Sequence, residues 1–162
     1  MMEDWERRLD RIWQNFDSYE SNDFLNKMQM LTAELSGEDP IALFELASAN
    51  DSTGREEDAV LLYRRSLSSG LQGVRRRRAT IQLASTLRNL GQAAESVRLL
   101  ETELNEDCSE LNDELHAFLA LCLIAVGREK EAAARALAVL APHLKRYNRS
   151  LAGYADTLLK HV

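Results

Sequence analysis

An all-α protein built from stacked helix pairs is the fold class this sequence predicts, on three observations. Three glycines, Gly54, Gly91 and Gly127, stand 37 and 36 residues apart. Neighbouring residues recur in register with them. Leu46-Ala47, Leu83-Ala84 and Leu119-Ala120 precede the glycines, Ala59, Ser96 and Ala132 lie five positions after, and Leu67, Leu104 and Leu140 thirteen after. Four columns in register across three copies mark an internal repeat. Finally, 7 Gly and 2 Pro in 162 residues leave little turn material for a sheet, and the aromatic share is only 6%. Leu, Ala, Glu and Arg dominate, which favours helix.

The elements follow in chain order. Trp5, Leu9, Ile12, Trp13 and Phe16 recur at helical spacing, and Phe24, Met28, Leu31 and Leu35 do so again. Residues 1–38 therefore read as a degenerate helix pair without the small-residue columns, an N-terminal cap. The alternative makes Trp5 and Trp13 anchors of a partner site. Asp39-Pro40, an N-cap followed by proline at the first helical position, opens the repeats. Three pairs are predicted over residues 39–144. Their first helices end near Asp51, Leu90 and Val126, where the glycine supplies the left-handed conformation that helix ends favour. Their second helices run over Glu56–Ser68, Ala93–Leu104 and Glu129–Leu140. Ala47, Ala84 and Ala120 face Ala59, Ser96 and Ala132 across the turns, and side chains this short let the paired helices approach closely. Pro142 stops a helix, and residues 145–162 form a last one with the stripe Leu151, Tyr154, Ala155, Leu158 and Leu159. One structural domain is expected.

Charge excludes some functions. Lys plus Arg is 20 and Asp plus Glu 26, a formal charge of −6. A nucleic-acid or anionic-membrane binder presents a basic field instead. Up to Pro40 there are ten acidic and four basic residues, so the acidity belongs to the N-terminal segment. The run Arg75-Arg76-Arg77-Arg78 steps about 100° per residue round a helix, and four in a row cannot all face one phosphate track. The first ten residues lack the apolar core of a signal peptide. The longest apolar stretch, Ala117 to Val126, is too short for a membrane span. A cytoplasmic location is expected.

Signals for catalysis are absent. There is no Gly-rich phosphate loop, HExxH or GxSxG. His116, His143 and His161 stand apart, and Cys108 and Cys122 form no CxxC, so neither a metal site nor a cofactor is expected. Cys122 sits in an apolar run and reads as a small buried hydrophobe. The expectation is a protein that is not an enzyme.

The runs Gly54-Arg55-Glu56-Glu57-Asp58-Ala59, Leu90-Gly91 and Gly127-Arg128-Glu129-Lys130-Glu131-Ala132, with Tyr63 in a second helix, resemble the tetratricopeptide repeat (TPR). The resemblance covers about Asp39 to Leu159 and extends to small stand-alone bacterial members of no settled function. Leu43, Thr80 and His116 stand where the repeat usually has a large aromatic, and the closing proline is missing. The resemblance implies a right-handed α-α superhelix whose first helices line a concave surface that holds protein or peptide segments.

On that surface Arg78, Gln82, Ser85 and Asn89 share one helical face, with Arg88 at its edge. Ala79, Leu83, Leu87 and Leu90 lie opposite and pack. One repeat earlier come Glu45, Ser48, Asp51 and Ser52. This polar stripe is the candidate peptide-binding site. Arg78 and Arg88 would anchor an acidic side chain or a C-terminal carboxylate, and Ser48, Gln82, Ser85 and Asn89 would bond extended backbone. A second reading stays open: Glu45 and Asp51 pair internally with Arg78 and Arg88. A different function class stays open too, a self-assembling homodimer joined through its N-terminal cap or outer helices. One repeat later the stripe becomes Phe118, Leu121, Ile124 and Ala125. That apolar face needs a cover, and the final helix is expected to close over it.

Overall fold

The structure, a computed structural model, describes residues 2–106 and 108–160. Among them are nine α-helices, two short 3₁₀ turns and no strand. Two compact units divide the chain, Met1–Ala79 and Thr80–Val162, and the boundary falls inside the fifth helix.

The first unit holds α1 (Met2–Gln14), α2 (Ser21–Thr32), α3 (Pro40–Ser52), α4 (Glu56–Ser68) and the start of α5 (Gly73–Asn89). The helical spacing of the N-terminal apolar residues has its cause here. Trp5, Leu9, Phe24, Leu25, Met28 and Leu31 form one buried cluster with Ala49 of α3. Phe24 is wedged edge-on between Trp13 at 5.1 Å and Phe16 at 4.7 Å, the geometry aromatic quadrupoles prefer. Trp5 is buried and its indole N–H donates to the Leu31 carbonyl at 3.0 Å. Trp5 thus serves the interior of the helix pair, and Trp13 packs at its edge, partly buried. Asp39 caps α3 as its sequence position requires, its Oδ1 accepting from the amides of Ile41 and Ala42 at 2.9 and 3.0 Å.

The second unit continues α5 and adds α6 (Ala93–Glu103), α7 (Asn112–Ala125), α8 (Glu129–Leu140) and α9 (Asn148–Lys160). Ile81 and Ala84 of α5, Val97 and Leu100 of α6, Leu115, Leu119, Ala120, Cys122 and Leu123 of α7, and Ala132 of α8 form its core.

The repeat register is visible at the turns. Gly54, Gly91 and Gly127 have φ of +77°, +79° and +78°. Each glycine amide bonds the carbonyl three residues back, and the next amide bonds five back: Arg55 to Asn50, Gln92 to Leu87 and Arg128 to Leu123, at 2.8–2.9 Å. This paired closure satisfies the last carbonyls of a helix, and a side chain at the glycine would be strained there. The six small residues of the facing columns, Ala47, Ala59, Ala84, Ser96, Ala120 and Ala132, are all at most 6% exposed. The second helices match their expected limits to within one residue.

One expectation fails. The last helix, α9, packs on α8 and its trailing 3₁₀ turn, not on the apolar face of α7. Leu121 and Ile124 remain 45% and 52% exposed. The reason is local. Consecutive elements normally pack together, and α8 with its trailing turn immediately precedes α9. Ala155 of α9 is fully buried, Leu151, Leu158 and Leu159 are half-buried, and Tyr154 faces solvent.

Candidate functional site

In the first unit the polar stripe turns inward. Glu45 of α3 is only 2% exposed. Its Oε2 accepts the indole N–H of Trp13 at 3.0 Å, and its Oε1 accepts Arg75 Nε at 3.2 Å. Arg75 also donates to Glu6 at 2.6 Å, so one guanidinium of α5 bridges carboxylates of α1 and α3. Burial pushes the Glu45 carboxyl above its usual range, against the Trp13 bond and the charges of Arg75 and Arg78. For Arg75 burial works toward a lower value, but Glu6 and Glu45 outweigh it and raise its basicity.

Ser48 is buried as well, 3.5 Å from the Tyr63 hydroxyl, which donates to Asp51 Oδ2 at 3.3 Å. Burial, then Asp51, holds the Tyr63 phenol above its ordinary range. Arg78 is exposed, with its guanidinium 5.1 Å from the centre of the buried Phe44 ring. That stacking presents a fixed positive charge at the surface.

Internal pairing is present at Glu45, which hydrogen-bonds Arg75 and also feels the charge of Arg78. The cation hydrogen-bonded to Glu45 is Arg75, one turn before Arg78 on the same face, and Asp51 meets Tyr63. Sequence reasoning missed Arg75, Trp13 and Glu6. Arg75 shares a helical face with Arg78 three residues on, so spacing alone does not choose between them. Nothing in the spacing showed that α1 would deliver Trp13 to α3.

In the second unit the stripe is at the surface. Gln82, Ser85 and Arg88 are half-buried and Asn89 is exposed, and Arg88 Nη2 donates to Asn89 Oδ1 at 2.9 Å. The repeat register carries these α5 positions onto Phe118, Leu121, Ile124 and Ala125 of the neighbouring α7. Phe118 is half-buried against the core, and Leu121, Ile124, Ala117 and Ala125 are exposed. A polar helix face thus lies beside an apolar one in the same unit. Such an arrangement suits an amphipathic segment.

Cys122 is buried in the core of the second unit. Burial raises the Cys122 thiol despite the Arg88 charge and a bond to Ser96, which makes it a poor nucleophile. His143 bonds Asp113 at 3.1 Å on the surface, and His116 is half-buried. His161 lies outside the described residues. Among the described residues no group of three or more His, Cys, Asp or Glu could hold a metal ion, and no helix is long and apolar enough to cross a membrane.

The same helix-pair register is found in known proteins. A solved structure, the MamA RS-1 ArsTM double mutant, is similar over 97% of this chain and 93% of its own, with a TM-score of 0.65 and 13% identity. At that identity the likeness concerns the fold. No curated protein matches the chain. The family model described as tetratrico peptide repeat matches residues 40–158, the span in which the glycine turns and small-residue columns recur. The chain therefore belongs to the tetratricopeptide repeat family, an all-α helical repeat fold typical of protein-interaction scaffolds.

Proposed function

We propose that the protein is a non-enzymatic scaffold that binds a protein segment on the first-helix face of its second unit. One observation carries this reading: Leu121 and Ile124 of α7 stay about half exposed at positions equivalent to the polar α5 stripe. Covering these two side chains would contribute about 1 kcal/mol or more each. The ligand is an extended or helical segment with apolar side chains toward Leu121 and Ile124. Its acidic side chain or terminal carboxylate meets Arg88, and Gln82, Ser85 and Asn89 supply further hydrogen bonds. Of the eight residues first considered, these four support binding. Glu45, Ser48 and Asp51 support the helix scaffold instead, and Arg78 is a separate cationic point in the first unit.

Affinity capture from native cells tests the reading, with wild type, Leu121→Asp/Ile124→Asp and Arg88→Ala baits. A partner retained by wild type and lost from the first variant, and weakened in the second, is expected. Identical captures by all three baits would contradict it.

A further inference from the structure

Four basic residues occur among the first forty, and three of them, Arg8, Arg11 and Lys27, line a single groove. Of the ten acidic residues in that stretch, only Glu34 lines it. The groove lies between α1 and α2 and has a volume of about 410 Å³. In the most acidic part of the chain, one concavity is therefore positive.

The cations are not equally engaged. Arg8 is held by both oxygens of Glu34, at 2.8 and 2.5 Å, and by Asp4 at 3.3 Å. Lys27 sits 5.1 Å above the Tyr19 ring, an aromatic rather than an acidic neighbour. Arg11 has no acidic partner among the described residues. Between these charges the lining is apolar. Ile12, Tyr19 and Leu31 form the wall, and Met30 stands 75% exposed. A thioether is flexible and polarisable, and adapts to a large apolar side chain set against it.

We propose that this groove docks an acidic amphipathic segment of a partner protein, one apolar ridge against Met30 and Ile12 with carboxylates beside Arg11 and Lys27. Charge complementarity selects the acidic ligand. Size selects a segment, because the volume is at the low end for ligand pockets and the groove is open along two helices. Helix-in-groove recognition inserts a few side chains and leaves the rest of the ligand outside. The site shares no residue with the α5–α7 face proposed above and stands independently of it.

The test uses the full chain with ¹³C-methyl methionine, the Met30 signal assigned by its loss in Met30→Leu. The probe is a 14-residue helical peptide with Leu at i, i+3, i+4 and i+7 and Glu on both flanks. A version with Lys in place of Glu, and laurate, are the comparisons. The Glu peptide is expected to shift the Met30 methyl saturably. Arg11→Glu/Lys27→Glu should weaken its binding at least tenfold, and Leu121→Asp/Ile124→Asp should leave it unchanged. The proposal is overturned if the Glu peptide leaves Met30 unmoved or the Lys peptide binds as tightly. Equal binding by the charge-reversed variant would also overturn it, as would a response to laurate without one to the Glu peptide. Both substituted cations are at the surface, so the variant should fold as wild type does, and its unchanged melting curve is the control.

Discussion

The indole N–H of Trp13 in α1 donates to the Glu45 carboxylate of α3 at 3.0 Å, and that carboxylate is almost wholly buried. A buried carboxylate is costly unless its oxygens are bonded, and here both are. The contact ties the N-terminal helix to the first repeat and explains why an acid sits at a core position.

Substituting this acid should give a pH signature of defined sign. Burial raises the Glu45 pKa in the folded state above its ordinary value of 4.5. The folded protein therefore holds this proton more tightly than the unfolded chain does. Its contribution to stability grows as the pH falls from above the raised value toward 4.5. Glu45→Gln removes that gain. In urea melts followed by tryptophan fluorescence, wild type should gain relative to the variant on acidification. A shift in the variant's favour would show that the carboxylate is stabilised, not penalised, by its surroundings.

Glu131 of α8 should behave in the opposite way. Burial alone would raise its carboxyl, but bonds from Arg135 and Arg128 outweigh burial and hold it below the ordinary value. Its stabilisation is present above pH 4.5 and is lost as the pH falls through the depressed value. Glu131→Gln should cost on the order of 1 kcal/mol at neutral pH, since both arginines are partly exposed. Below the depressed value the two proteins should converge, which chemical denaturation across a pH series will show.

Added volume at the buried small-residue columns should be costly. Ala84 is fully buried between helices, and Ala84→Leu should overpack the site by roughly 1–3 kcal/mol. For a chain of this size that lowers the Tm by about 2–4 °C per kcal/mol. A calorimetric scan that matches wild type would mean the repeat columns are looser than their burial implies.

What the sequence revealed and concealed follows from how far each interaction reaches. Gly54, Gly91 and Gly127 were legible because a left-handed helix end is a local requirement, and Ala47 with Ala59 because the repeat displays the same contact three times. The partner of Glu45 was not, since Trp13 and Arg75 lie 32 and 30 residues away on helices whose rotation no local rule fixes. The seat of α9 was misjudged for a related reason. Its apolar stripe names no neighbour by itself, and in the structure α9 packs on α8, the helix before it.

That seat carries its own prediction. A chain ending at Ser150 loses most of the helix that packs on α8, so it should melt several degrees lower. The α7 face is open with α9 present, so a ligand bound there should be retained at an unchanged Kd. Tightened binding in the shortened protein, measured by titration calorimetry, would mean that α9 competes for the face after all.

On the proposed function, Leu121 marks the surface where a partner sits. A photo-crosslinking amino acid placed at Leu121, and separately at the exposed Leu61 of α4, tests it in living cells. A discrete higher-mass adduct is expected from position 121, disappearing in an Arg88→Glu background, with none from position 61. Adducts at 61 and none at 121 would contradict it.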